Sequence, residues 1–332
     1  MKKEPTAFQK NKAILAALTV NAIIAVMKFI VAFFSGSASL FSEAIHSSAD
    51  AFNQVVLLIG KHLAKKGPDD THPFGHARAA FFASFCVAVL LFFVGGAYSC
   101  MEAIEKINHT IHATGEHTLD MKALFVAAVI LIVSIILECF SFRTALIEVK
   151  EEQEKTGAKK GLIQFYKDTR NSSLIVIVTE DLTAMLGLGL ALAGVLLTIF
   201  TGNPLWDAIG GVAIGVLLIL AAFILGKEIA SLIIGEALPA ENICEIEKLV
   251  RNTPHVKNCR KVKTVALGTD SILIEIDVEF ETDGSVSAEE MIQAIAEIKL
   301  ALKALRKDKD TYVSTCIEAV GTSALQHRGG SL

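Results

Sequence analysis

The segment SLFSEAIHSSADAFNQVVLLIG, residues 39–60, decides how this chain is read. Glu43, His46, Asp50 and Asn53 follow one another at steps of three, four and three residues, the spacing that keeps side chains on one face of an α-helix. A carboxylate, an imidazole, a second carboxylate and an amide are thereby stacked into one polar stripe. The rest of the segment is apolar enough for a bilayer. A charge at bilayer depth costs about 2.5–3.5 kcal/mol on insertion scales, so such residues line an ion path or a binding site.

The rest of the chain supports a membrane reading. Hydrophobic residues make up 52% of the 332, charged residues only 20%, and mean hydropathy is +0.52, too apolar for an ordinary soluble domain. Long apolar runs cover residues 13–34, 79–98, 124–137, 174–200 and 205–234. About 20 residues cross the hydrocarbon core, and 124–137 reaches that length with its flanks. The striped segment is the remaining span, because the short turn Ser35, Gly36, Ser37 forces an immediate return crossing. Six spans are expected.

Basic residues set the orientation, since Lys and Arg in short loops favour the cytoplasmic side. Lys2, Lys3, Lys10 and Lys12 precede the first span, and Lys61, Lys65, Lys66 and Arg78 lie between the second and third. Arg143, Lys150, Lys155, Lys159, Lys160, Lys167 and Arg170 lie between the fourth and fifth, whereas the opposite loops carry only Lys106 and Lys122. Both termini are expected in the cytoplasm. The lysine-bearing N-terminal tail lacks Arg, which argues against a transit peptide and for a bacterial inner (plasma) membrane.

After Gly235 the pattern becomes that of a soluble domain. Residues 240–251 read as a helix between Pro239 and Pro254. Residues 256–267 and 272–281 alternate as strands across a Gly268, Thr269, Asp270 turn, with Ile272, Ile274, Ile276 and Val278 opposing Glu275, Asp277 and Glu279. A helix over 287–303 opens with Ser287 and Glu290 as a capping box, and 311–320 is a last strand. The expected fold is an all-α six-helix transmembrane bundle over 1–234 and a small α+β domain of order αββαβ, ferredoxin-like, over 235–323, with a tail at 324–332. A domain of about 85 residues is marginal alone and gains from pairing with a second copy.

Several function classes are excluded. Cys86, Cys100, Cys139, Cys244, Cys259 and Cys316 show no CxxC or other metal spacing, and read as small core residues. No phosphate-binding glycine loop or nucleophile elbow is present, and a net charge of −4 without a basic aromatic patch excludes nucleic acid as partner. No organic cofactor is implied.

A second dense constellation, PDDTHPFGHAR at residues 68–78, follows the striped segment on the cytoplasmic side. His72 and His76 at i and i+4, with Asp69 and Asp70 just before, suit a Zn²⁺ ion taking nitrogen and oxygen ligands. The same residues also fit a solvated turn leading into a helix.

Together, SLFSEAIHSSAD at 39–50 and HPFGH at 72–76 closely resemble the cation diffusion facilitators, and the resemblance covers nearly the whole chain. With GNPLWD at 202–207 the wording looks most like the divergent branch containing mammalian zinc transporter nine. The resemblance implies a homodimeric six-span secondary transporter, not an enzyme, that exports divalent metal against protons and carries a cytosolic αββαβ domain. It places His46 and Asp50 among the transport-site ligands. The fifth span should supply two more, and counting back from Asp207 puts Asp181 at the first position and Met185 at the second. A thioether is a poor zinc ligand, so the missing oxygen is expected from Glu180, Glu43 or water.

Glu180 and Asp181 are conspicuous on their own, since two carboxylates in an apolar run are expensive unless a cation joins them. The alternative is a pair near the cytoplasmic end, solvated or matched with Arg170 or Lys167. Lys28, the odd cation of the first span, either neutralises Glu43 or Glu138 or occupies the site when metal is absent.

The resemblance also matches Asp69, His72 and His76 to a second zinc site of some bacterial members, regulatory or metal-delivering in role. In the cytosolic domain, the positions that bind zinc in those members are here Arg260, Asp277, Cys316 and Glu318. A guanidinium there argues against a filled cluster and for an ion pair in a dimerising domain. His109, His112 and His117 of the outer loop either capture metal or are ordinary loop residues. The expected activity is Zn²⁺ efflux by proton exchange in a lipid bilayer. Mn²⁺ or Fe²⁺ export is the nearest alternative, since a site with one histidine and many oxygens also suits those ions. A membrane-tethered sensor is weakened by path residues on two helices, and an intramembrane metal hydrolase lacks HExxH.

Overall fold

The computed structural model describes residues 23–112, 120–156, 161–281, 286–305 and 312–319. Lys2, Lys3, Lys10, Lys12, His117, Lys159, Lys160, the first residues of the 13–34 run and the 324–332 tail lie outside them. The chain forms two compact units: residues 1–61, 82–151 and 173–229 make the first, and 62–81, 152–172 and 230–332 the second.

The first unit is helical. Its helices are α1 (Ile23–Ser35), α2 (Ala38–Ala64), α3 (Ala79–His112), α4 (Met121–Thr156), α6 (Ser172–Thr201) and α7 (Leu205–Ile234), the ends of several passing into the second unit. Among the described residues α3, α4, α6 and α7 are long and apolar enough to cross a membrane. Small and branched residues such as Ala127, Leu131, Leu188, Ala191 and Ile214 fill its core. Large apolar side chains face outward, Phe33 at 82% and Phe200 at 81% exposed, which suits lipid and not water as the surrounding solvent.

Two helices outrun the sequence expectation. α3 continues to His112, because residues 99–112 contain neither Gly nor Pro, so His109 and His112 lie on its last turns and not in a loop. α4 has 36 residues, about 54 Å at 1.5 Å per residue against a hydrocarbon core of about 30 Å, so Arg143 and Lys150 are helical too.

α3 loosens into a π-helical stretch at Leu91–Tyr98, where it closes onto α7. A Cβ on Gly96 would stand 2.6 Å from Ile219 Cγ1, and one on Gly215 2.5 Å from Cys100 Sγ. Glycine is required for that approach.

The turn between α1 and α2 is the expected one, with Gly36 at φ +60. The start of α2 is capped from a distance. Asp207 of α7 accepts the Ala38 N–H at 2.6 Å and the Ser37 hydroxyl at 2.6 Å, as well as the hydroxyl of Ser39. Lys106 of α3 donates to the same carboxylate at 3.1 Å and to the Gly36 carbonyl.

The second unit carries α5 (Leu162–Asp168), α8 (Ala240–Arg251), β1 (Val256–Gly268), β2 (Ser271–Phe280), α9 (Ala288–Leu305) and β3 (Tyr312–Ala319). The sheet order is β1-β2-β3, antiparallel between the first two and parallel between the last two. Ile272, Ile274, Ile276 and Val278 are all at most 4% exposed and pack on Ile246, Val250 and Ile298. Glu279 departs from the expected alternation: it is buried, because Lys257 and Arg260 of β1 close over its carboxylate at 3.0 and 2.9 Å. These two bonds hold the Glu279 carboxyl below its ordinary range.

α9 opens on the expected reciprocal cap. The Ser287 N–H and hydroxyl donate to Glu290 Oε2 at 2.7 and 2.9 Å, and the Glu290 N–H donates back to the Ser287 hydroxyl at 3.3 Å. Ser287→Ala is expected to cost about 1 kcal/mol, read as faster amide exchange over the first turn of α9 with the β2 amides unchanged.

Candidate metal centre

The helical spacing read from residues 39–60 does what it promises. Glu43 and His46 are each 1% exposed, Asn53 is fully buried, and the Asp50 side chain keeps 22% exposure. His46 Nδ1 stands 3.5 Å from Asp50 Oδ1. That is too long for a strong hydrogen bond, and neither His46 ring nitrogen nor Asp50 Oδ1 has a hydrogen-bond partner among the described residues. Buried polar atoms are nearly always satisfied, so unpartnered imidazole nitrogens beside an unpartnered carboxylate oxygen make this a candidate site for a further ligand.

α6 supplies its two acids in different directions. Consecutive helical residues diverge by about 100°, and accordingly Glu180 and Asp181 part company. Glu180, 6% exposed, accepts a 2.6 Å hydrogen bond from Asn53 Nδ2 of α2. The solvated alternative for it is thus set aside; Arg170 pairs with Glu236 at 3.3 Å instead. Asp181 accepts from Ser141 of α4 at 3.3 Å. His46, Asp50 and Asp181 do not form a group whose ligand atoms all lie within 4.8 Å of one another. Met185 is half-buried on the same helix.

Glu43, one of the three candidates for the gap left by Met185, has one oxygen paired and the other without a partner among the described residues. Its Oε1 pairs with Lys28 of α1 at 3.5 Å, and Lys28 also donates to Ser47 at 2.7 Å. Of the two carboxylates expected for Lys28, Glu43 is the one it meets. Glu138 of α4, in the sequence only a candidate partner for Lys28, lies within electrostatic reach of Asp50, His46 and Asp181. The signal was available: Glu138 and Ser141 are three residues apart, so α4 presents a short polar stripe of its own.

The loop constellation condenses into a compact cluster. The Asp69 carboxylate accepts the backbone N–H groups of Thr71 at 3.0 Å and His72 at 2.6 Å, which folds the loop back on itself. Gly75, at φ +77, closes the turn through a 2.9 Å bond to the His72 carbonyl. His72 Nδ1 then lies 3.3 Å from Asp69 Oδ1 and His76 Nε2 3.5 Å from Asp69 Oδ2, with the two rings 4.1 Å apart. All three ligand atoms fall within 4.8 Å of one another, the one such group among the described residues. Two imidazoles and a carboxylate fit three corners of a tetrahedral zinc site. The His72 backbone bond, with the His72 ring and the Thr71 backbone, holds the Asp69 carboxyl below its ordinary range and so ready for a cation. The loop rests on the end of β1, where a Cβ on Gly268 would meet that of Ala77 at 2.7 Å.

Comparison with known proteins adds the decisive observation. A family model described as the cation efflux transmembrane domain matches residues 14–234. The chain belongs to the cation efflux family.

Among the relatives of this cation efflux protein, the human mitochondrial proton-coupled zinc antiporter is 31% identical over 302 residues, covering 87% of this chain and 50% of that one. The chain thus spans about half the length of that relative. A Methanocaldococcus jannaschii protein named an uncharacterized transporter is 27% identical, covering 91% of this chain and 96% of that one. A manganese efflux system protein of Bacillus subtilis is 21% identical, with 87% and 89% covered. The relatives and the apolar helices together place this family member in a membrane and near the branch of the zinc antiporter.

In the αββαβ unit of this cation efflux protein the expected ion pair is present. Arg260 is committed to Glu279, and Asp277 faces Lys261 across β1 and β2. Cys316 and Glu318 fall on β3, in register with Glu275 and Asp277.

Proposed function

We propose that this chain exports a divalent metal ion, Zn²⁺ first, from the cytosol in exchange for protons, by alternating access in a homodimer. The proposed architecture has six spans, α1, α2, α3, α4, α6 and α7, within residues 1–234, both ends cytoplasmic, and a ferredoxin-like cytosolic domain over 235–323. The lysine asymmetry of the loops supports the orientation. The small size of the cytosolic domain supports pairing.

One observation carries the reading: His46 and Asp50, one helical turn apart in α2, leave both ring nitrogens and one carboxylate oxygen without hydrogen-bond partners among the described residues, and the neighbouring α6 brings two more carboxylates. The ligands we assign are His46, Asp50 and Asp181. Glu180 and Glu43 surround them, held by Asn53 and Lys28, and water takes the position where Met185 stands. Metal needs a neutral imidazole and ionised carboxylates, so protons and metal compete for the same atoms. Loading from one side displaces protons, and protonation from the other side expels the ion.

The test is metal-driven proton flux in proteoliposomes, comparing Zn²⁺, Mn²⁺, Fe²⁺ and Co²⁺ under an imposed pH gradient. Zn²⁺ is expected to give the largest flux. A second reading, Mn²⁺ export, has its own support in the single imidazole among oxygen donors, and a Mn²⁺ flux exceeding that of Zn²⁺ would establish it. No flux with any of the ions would overturn both.

The Asp69, His72 and His76 cluster is proposed as a separate, non-transported zinc site. Asp69→Ala is expected to lower the zinc bound per purified chain by one, measured by metal analysis after gel filtration.

A further inference from the structure

Lys28 is the one described residue of the spans whose ammonium is both buried and set against the stripe of α2. It is 4% exposed, on α1, with Nζ 3.5 Å from Glu43 Oε1 and donating to Ser47 Oγ at 2.7 Å. Glu43 and Ser47 are i and i+4 on α2, and His46 lies between them. The ammonium therefore bridges one helical turn of α2 through Glu43 and Ser47. The other oxygen of Glu43, Oε2, has no hydrogen-bond partner among the described residues and faces α6 at Gly187, where an added Cβ would stand 3.2 Å from it. Lys28 is also a cation within electrostatic reach of His46, Asp50 and Glu138 alike.

A fixed positive charge in this position changes what the site can hold. Any cation seated between His46 and Asp50 feels the ammonium repulsively and the Glu43 carboxylate attractively, in surroundings where charge is weakly screened. As a pair the two offset one another at the ion. Broken, they do not, and the remaining charge acts on a divalent ion with twice the strength it has on a monovalent one. We propose that Lys28 and Glu43 form a tethered counter-charge pair that sets the affinity of the transport site, with Lys28 the residue that keeps the ion releasable and Glu43 acting through Lys28 instead of ligating metal. This rests on the assignment of His46 and Asp50 as ligands.

The test is Zn²⁺ titration calorimetry on the purified full-length chain in detergent, with every variant carrying Asp69→Ala so that the loop cluster does not contribute. Lys28→Met is expected to lower the Kd for Zn²⁺ on the order of tenfold or more and to slow release, so that turnover and KM in proteoliposomes fall together. Glu43→Gln is expected to raise Kd by a similar factor, and the double variant to return it toward the starting value. Opposite signs in the singles with cancellation in the double are the signature, since a merely structural ion pair would lower thermal stability in both singles and leave Kd alone. Should Lys28→Met not fold, because it leaves a buried carboxylate uncompensated, Glu43→Gln and the double variant decide the matter between them. His46→Ala separates the two layers of the argument. Zn²⁺ binding that survives His46→Ala overturns the ligand assignment, whereas binding lost there but unmoved, or moved in one direction only, by the Lys28 and Glu43 variants overturns the counter-charge pair alone.

Discussion

Replacing His46 by alanine is expected to reduce metal-driven proton flux in proteoliposomes to the level of protein-free vesicles, and Asp50→Ala to do the same. Neither side chain holds the fold in a way that explains such a loss. The ring nitrogens of His46 support no other described group, and Asp50 Oδ1 has no hydrogen-bond partner, so removing either leaves few orphaned neighbours. What is lost, on the proposed assignment, is a ligand. Zn²⁺ sites rely on three or four protein groups, and with Met185 in place of a carboxylate this site has no spare one. Proton coupling is lost with it, because the atoms that carry metal are those that carry protons. The control is the elution profile in detergent, expected to match that of the unaltered chain. Flux that persists in both variants at the unaltered rate would remove the stripe from the transport path.

Much of this was legible before any geometry, and the reasons are specific. The stripe of α2 was readable because helical periodicity converts spacing directly into a shared face, and because polar residues in an apolar run are costly enough to demand an explanation. The loop cluster was readable for a related reason: Asp69, His72 and His76 are close in sequence, and a single tight turn at Gly75 suffices to gather them. The pairing of side chains between helices was not. Whether Glu43 meets Lys28 or a metal, and whether Glu180 turns to Asn53 or to solvent, depends on the azimuth of α1 and α6 about their own axes, which hydropathy does not report. Adjacent acids such as Glu180 and Asp181 look interchangeable in a sequence, yet the helix gives them different partners, Asn53 and Ser141. Helix ends escaped for another reason. The apolar run of α4 stops near residue 137, but its charged continuation remains a good helix former, so composition marks the edge of the bilayer and not the end of the helix.

The largest effect on stability is expected from Asp207→Ala, a residue that contacts no proposed ligand. Asp207 is 2% exposed, and its two oxygens accept from the Ala38 backbone, from the hydroxyls of Ser37 and Ser39, and from Lys106. The carboxylate thereby stands in for the N-cap that Ser37 would otherwise supply alone, and it joins the α1–α2 turn to the end of α3 and the start of α7. Gly210 and Gly211 of α7 lie against the same turn: added Cβ atoms would be in ordinary contact, 3.5 Å from Ser39 Cβ and 3.4 Å from the Ala38 carbonyl oxygen. Truncation strips several buried donors at once and leaves the Lys106 ammonium, 28% exposed, without its carboxylate. Losses of this kind amount to roughly 3–5 kcal/mol, read as a marked drop in the thermal midpoint of the detergent-solubilised chain. Lys106→Met should cost less, because Lys106 is partly solvated while the three oxygen and nitrogen donors of α2 keep their acceptor. Asp207→Asn should fall between, retaining an acceptor oxygen but not the charge. His46 follows Ala38 by eight residues, about 12 Å along α2, so a start of α2 freed from Asp207 also loosens the helix that presents the stripe. Asp207→Asn is therefore expected to lower the transport rate even at temperatures where it remains folded. A thermal midpoint unchanged by Asp207→Ala would show that Ser37 and water cap α2 without help from α7.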